Sequence, residues 1–280
     1  MASQMLIYES AVAVSSARHG GWSVEVGADY TFSKNVNSVP LMAVEIQTAA
    51  TEYAVVFSGT DEAMIPAVIL GMRGNENLYL TGQGAWQAKY LPAFVRRYPF
   101  VFSSSADGKT FTLCIDESFP GCNQQGRGER LFDEQNKPTA YVENVLKFLE
   151  QYQAEFRRTQ AFCAKLRELD LLEPMRAQAN LASGEKVSLT GFMAVNRERL
   201  KALSPEALAE LAKTDALELL YLHLQSMRNF SGMMDRLGAK RGAEAGETAE
   251  ASASARPQAG RANPKEEKTA EIRQPVKTGK

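Results

Sequence analysis

Cysteine and histidine are both scarce in this chain. Cys114, Cys122 and Cys163 are odd in number and have no CxxC spacing, which argues against a disulfide framework and against a thiolate zinc site. Cys114 sits in an apolar strand-like run and Cys163 on the apolar side of a helical pattern, so both are expected to be core thiols. The only histidines, His19 and His223, lie near opposite ends of the patterned sequence without HxxxH, HxD or HxH spacing, so no metal site and no cofactor is expected. Long apolar runs are missing too. A membrane-spanning helix needs roughly 18 to 20 consecutive apolar residues, and the longest candidates are broken by Pro66, Arg73 or Glu218. No basic residue precedes the weakly apolar run at the N-terminus, so the sequence does not read as a Sec signal peptide, and a cytoplasmic location is the default expectation. Leaderless export to the cell surface stays open, because it need leave no apolar mark. Gly82-Gln83-Gly84-Ala85 and Gly126-Arg127-Gly128 lack the spacing of a phosphate cradle, and Ser103 to Ser105 lack a GxSxG elbow, so neither a nucleotide site nor a serine hydrolase is supported.

What is present is the composition of a globular protein. At 280 residues and 44% hydrophobic, the chain can bury one large core or two small ones. Its charge is uneven. Residues 239–280 carry nine Lys/Arg against six Asp/Glu, a net of +3, which leaves −4 on residues 1–238 out of a whole-chain −1. That tail has no aromatic residue, and its large aliphatics are Ile272 and Val276, too little to offset an ordering cost of about 1 to 2 kcal/mol per residue. A disordered, solvated tail is expected. Its basic residues are too dispersed to make nucleic acid an expected partner.

Near residue 135 the pattern changes. Before it, short apolar runs are punctuated by Gly, Asn, Asp and Pro, which predicts strands at Trp22–Val26, Tyr53–Ser58, Ala67–Met72, Asn77–Thr81, Phe100–Ser104 and Thr110–Ile115. Asp107-Gly108 predicts a hairpin turn between the last two. One helix is expected as an insertion starting at Pro40, which suits a first helical turn. After Pro138 the period becomes helical: Val142, Val145, Leu146, Leu149, Tyr152, Phe156, Cys163 and Leu166 form a stripe on a helix ending near Leu171. A turn at Ser183-Gly184-Glu185 precedes a strand over Val187–Val195 that could rejoin the earlier sheet. Ser204-Pro205 begins another helix, with Ser204 as N-cap, and Asp215–Leu237 is read as one last amphipathic helix. The fold class is therefore α+β, with a mainly β N-terminal part, a helical C-terminal part and a disordered tail.

The densest passage is Glu76–Phe102, which gathers seven aromatic rings, two adjacent arginines and two prolines. It holds Trp86, Tyr90-Leu91-Pro92-Ala93 and Arg96-Arg97-Tyr98-Pro99-Phe100. Around it stand Arg18-His19, Val39-Pro40-Leu41 with Glu45, Tyr53, Val56-Phe57, the Gly71–Asn77 turn, Ile115-Asp116-Glu117, Leu131-Phe132-Asp133-Glu134, Gly191-Phe192 and His223–Met227. Taken together these resemble the SapC-like family of bacterial proteins, named after a surface-layer-associated protein, over about residues 8 to 237. The change of pattern divides the chain into a β-rich part over 1–135 and a helical part of the same domain over 136–238, with a tail over 239–280 that lies outside the resemblance. The resemblance carries no catalytic residues across, and it implies a link to the surface layer, export or uptake.

His19, Trp86, Tyr90, Arg96, Arg97 and Asp116 are the candidate binding residues. Aromatic rings with guanidiniums suit a protein or peptide surface, against the competing reading of core packing. Asp116 and Glu117 are adjacent on a strand and point to opposite faces, which disfavours a close acid/base pair and favours separate ion pairs. A non-catalytic binding or accessory protein with a protein or peptide partner is the leading expectation. An enzyme, or an enzyme partner in small-molecule or peptide modification with a small-molecule ligand, is the alternative.

Overall fold

The structure is a computed structural model that describes residues 5–60, 63–105, 108–180 and 184–238. Its strands are β1 (Ala11–Ala13), β2 (Ser23–Val24), β3 (Ser38–Pro40), β4 (Val55–Ser58), β5 (Ile65–Ile69), β6 (Phe100–Ser104), β7 (Phe111–Asp116), β8 (Cys122–Asn123), β9 (Glu129–Arg130), β10 (Leu172–Asn180) and β11 (Lys186–Val195). Its α-helices are α1 (Ser16–His19), α2 (Ile46–Ala49), α3 (Ala93–Arg96), α4 (Ala140–Glu168), α5 (Arg197–Lys201), α6 (Pro205–Lys213) and α7 (Ala216–Ser226), and a further helix runs over 229–238. The fold is α+β. The strands form three antiparallel sheets, ordered β10-β11-β4-β5-β3, β1-β7-β6 and β8-β2-β9.

The largest sheet is buried on both faces at its centre. On one face Val55, Val68 and Leu70 pack with Tyr53, Tyr79 and Phe94, while Ala54, Val56, Ala67 and Ile69 on the other meet Phe192, Met233 and Leu237. Period-2 alternation thus separates two apolar clusters instead of separating core from solvent, which is why these strands read as continuous apolar runs. Helix α4 spans the remaining clusters: Val142 and Leu149 pack with Val24, Phe100, Ile115 and Leu131, and Cys163 and Leu166 pack with Phe57, Val195, Leu200 and Leu220. Of its predicted stripe, Val142, Leu149, Tyr152, Cys163 and Leu166 are buried while Val145, Leu146 and Phe156 are half-buried, and Cys114 and Cys163 are core thiols.

The β6–β7 hairpin forms in register from Phe100↔Ile115 to Ser104↔Phe111, with Gly108 at φ 68°, while Asp107 of the predicted turn lies outside the described residues. Strand β11 rejoins the large sheet by pairing Met193 with Phe57. Ser183 of the predicted turn before it, and the tail from residue 239, also lie outside the described residues.

Several expectations are corrected. The strand expected over Trp22–Val26 shortens to Ser23–Val24. No strand runs over Asn77–Thr81, where only Leu80 bridges to Trp86. Asn77 Oδ1 accepts from Tyr79 N at 2.9 Å, an Asx turn that diverts the backbone, and the adjacent Leu78 and Tyr79 enter different clusters. Pro40 ends β3 at the edge of its sheet, where a missing N–H is tolerated. The helical turns begin later, at Ala43, where Glu45 Oε2 accepts from Met42 N at 2.8 Å. Helix α4 is followed by the long strand β10, with Pro174 within it on an edge strand. The last helix breaks at residues 227 and 228. Ser226 Oγ accepts from Val55 N at 3.1 Å, and Asn229 Nδ2 donates to Ala50 O at 2.9 Å and Tyr53 O at 2.8 Å, so the break docks the C-terminal helices onto the α2–β4 corner.

Candidate functional site

The two arginines of the central block part company because α3 turns about 100° per residue. Arg97 points inward and is 4% exposed, its guanidinium carbon 4.4 Å from the Phe94 ring centroid, 4.9 Å from Tyr152 and 5.5 Å from Tyr8. Three π faces offset part of the cost of burying that charge. Arg96 is exposed and lies over Phe148 at 5.5 Å and Tyr90 at 6.0 Å.

Asp116 is fully buried and collects donors. Its Oδ1 accepts from Ser118 Oγ at 2.7 Å and from Ser118 N and Ser10 N at 3.1 Å, and its Oδ2 accepts from Glu9 N at 2.7 Å. Burial pushes the carboxyl up, and these hydrogen bonds outweigh it and hold the group below the usual carboxylate range. Its neighbour Glu117 lies just past the end of β7, in the turn that follows, and has different partners. Glu117 takes Arg18 Nε at 2.5 Å and Nη2 at 2.6 Å, and stands 3.0 Å from His19 Nε2. The Arg18 hydrogen bonds hold Glu117 below the ordinary range. His19 is buried, its Nδ1 accepts from Ser15 N at 3.2 Å, and its ring meets Trp22 edge-on at 5.3 Å. Acceptance at Nδ1 leaves the proton on Nε2, facing Glu117, so both ring nitrogens are engaged.

Trp86 and Tyr90 belong to a separate network. Trp86 Nε1 donates to Tyr53 Oη at 2.8 Å, Tyr53 Oη donates to Tyr90 O at 2.5 Å, and Trp86 stacks on Tyr79 at 6.4 Å. Tyr90 Oη donates to Glu45 Oε1 at 2.6 Å, beside Ala93 N at 2.8 Å on the same oxygen. Glu45 therefore fixes the start of α3 from the preceding helical segment. The structure thus brings Trp86 and Tyr90 together with Tyr53 and Tyr79, lays Arg96 across Tyr90, buries Arg97 among other rings, and puts His19 beside Glu117 instead of beside Asp116.

None of the six candidates lines either of two open cavities. One, of about 510 Å³, opens between β4 and the β10–β11 hairpin and is lined by Phe57, Met64, Met175, Phe192 and Met193 among others. The other, of about 350 Å³, is lined by Thr51, Glu52, Tyr79, Arg228, Asn229 and Arg236 among others. Tyr79 connects it to the central block, since its ring touches Trp86 on one side and carries the Arg236 guanidinium carbon at 4.4 Å. Burial pushes the Tyr79 phenol up to about 12. Sequence reasoning passed over Glu52, Tyr79, Arg228 and Arg236. Tyr79 is in the aromatic passage and could have been singled out, but the two arginines carry no local motif and enter the cavity through the break at 227–228.

The thiols offer no activated nucleophile: burial pushes Cys122 up to about 11, Cys163 up to about 12, and Cys114 upward. Among the described residues no group of three His, Cys, Asp or Glu side chains is placed to hold a metal ion, and no helix is long and apolar enough to cross a membrane. The sequence model of the SapC family matches residues 14–233. No curated protein and no solved structure matches the chain.

Proposed function

Since the chain belongs to the SapC family, we propose that the protein is a non-catalytic binding or accessory protein that holds a protein or peptide on its aromatic and arginine face. The family resemblance directs this role to the bacterial surface layer, export or uptake. The observation that carries the reading is how the ionisable groups around the central block are spent. Asp116, Glu45 and His19 are buried and each is committed to backbone or side-chain partners inside the fold. A general acid or base needs a lone pair or proton directed at a substrate, whereas these groups direct theirs at the protein's own chain. What is left facing outward is Arg96 over Tyr90 and Phe148, a guanidinium laid on aromatic rings, residue types that are enriched at interfaces.

The experiment is co-purification from native lysate and envelope fractions, read by mass spectrometry for proteins and small molecules, with wild type beside Arg96→Ala. Arg96 is exposed, so the variant is expected to melt at the wild-type temperature. A protein or peptide partner retained by wild type and depleted about ten-fold in the variant is the expected result, the size following from loss of a charged interface contact. A retained small molecule with no protein partner would overturn the accessory role in favour of an enzyme or ligand carrier.

A further inference from the structure

We infer that the cavity between Glu52, Tyr79, Arg228 and Arg236 is a site for an anionic group, carboxylate or phosphate, taken between the two arginines against the Tyr79 ring. The inference rests on the binding role proposed above and adds the chemical character of what is bound.

The polar groups of this cavity divide into those already used and those still available. Glu52 is used: its two carboxylate oxygens accept Lys89 N at 3.0 Å and Tyr90 N at 2.9 Å, so its charge tethers the backbone of the central block. Asn229 is used as well, its amide nitrogen donating to Ala50 O and Tyr53 O. Arg236 spends one hydrogen bond on Gln87 O at 3.2 Å while stacked over Tyr79, out of the five N–H donors a guanidinium has. Among the described residues, neither Arg236 nor the exposed Arg228 is within ion-pair distance of a carboxylate, although ten such contacts occur elsewhere. Two arginines therefore line one cavity, with most of their donors unassigned among the described residues.

Placement of Arg236 is the decisive feature. A long arginine side chain ordinarily loses rotamer freedom when it takes an anion, and here the Tyr79 stack and the Gln87 carbonyl have already fixed it. Planar guanidinium geometry then suits two parallel hydrogen bonds to a carboxylate or phosphate, stronger than neutral ones. Thr51 and Ser231 line the same cavity, but their hydroxyls donate to Thr48 O at 2.7 Å and Arg228 O at 2.8 Å, which leaves the arginines as its donors. Because Tyr79 also touches Trp86, an anion here would sit at one end of the aromatic face, where an acidic residue or C-terminus of a bound peptide would reach it.

The test uses the full chain and fluorescence anisotropy with three labelled decapeptides: one rich in Asp and Glu with a free C-terminus, its Asn/Gln counterpart with an amidated C-terminus, and a Lys-rich one. In parallel, the melting temperature is read in inorganic phosphate against chloride at matched ionic strength. The acidic peptide is expected to bind about ten-fold more tightly than its neutral counterpart, as one charge-assisted contact gives. Arg228→Gln should lower that affinity several-fold without changing melting, and Arg228→Gln with Arg236→Gln should bring it to the neutral level. Acidic-peptide affinity unchanged in these variants would overturn the site while leaving peptide binding intact. Arg228-dependent protection by phosphate with no peptide bound would uphold the anion site and overturn the peptide-holding role. Absence of both peptide binding and phosphate protection would overturn the site outright.

Discussion

Of the two buried histidines, His223 uses both ring nitrogens to clamp distant backbone. His223 Nδ1 donates to Val55 O at 2.9 Å and its Nε2 accepts from Val195 N at 3.0 Å, so one neutral imidazole ties α7 to β4 and β11. Burial lowers its pKa from 6.5 to about 4. As pH falls the unfolded chain takes up this proton first, so the stabilisation is complete above pH 6.5 and is lost on the way down to about 4. The loss amounts to about 3 kcal/mol. Asp116 acts lower still, its contribution being present above its ordinary value of 3.8 and lost below it. Urea midpoints measured across a pH series should therefore fall between pH 6.5 and 4, and in His223→Leu this segment should flatten on a lower baseline, because Val55 O and Val195 N lose their partner. An unflattened segment in the variant would assign the pH dependence to other groups.

At the scale of elements, the caps and the cross-chain ties differ in how far they can be seen. Helix α6 starts where Ser204 Oγ accepts from Ala207 N at 3.2 Å with Pro205 at its first position, a motif contained in four consecutive residues and readable at sight. Ser204→Ala is expected to cost about 1 kcal/mol by denaturant titration. Thr159 is different. It lies fully buried in the middle of α4, accepts from Ala43 N at 2.8 Å and donates to Glu155 O at 2.7 Å. Thr159→Val keeps the shape and orphans the Ala43 N–H, so a loss of about 1 to 3 kcal/mol is expected, with faster amide exchange at Ala43 as the specific readout. In sequence Thr159 is a polar residue on a helix, and its partner is 116 positions away. The break in the last helix was hidden for the same reason: Ser226 and Asn229 are ordinary helix-surface residues until β4 and α2 arrive beside them.

For the whole molecule, the large sheet draws β3, β4 and β5 from before residue 135 and β10 and β11 from after it. Helix α4 packs at one end against the β1-β7-β6 sheet's cluster and at the other against β4 and β11. Neither half retains a closed core without the other. Equilibrium unfolding followed by Trp22 and Trp86 fluorescence, both in the first half, should therefore coincide with the loss of helix followed by circular dichroism, most of which reports the second half. Separated midpoints would show two independently stable parts.

The sequence by itself determined what depends on neighbours in the chain. It carried the α+β class, the α4 stripe, the Ser204-Pro205 start, the β6 and β7 strands, and the family, because period, caps and a long joint motif are local or additive signals. Tertiary structure decided what depends on residues far apart. It turned Asn77–Thr81 from an alternating run into a turn feeding two cores, sent Arg97 inward and Arg96 outward, spent Asp116 on the amides of Glu9 and Ser10, and set Arg228 and Arg236 at one cavity. A polar side chain has the same composition whether its donors meet solvent, backbone or ligand. Which of these it meets is fixed only when the sheets and helices close around it.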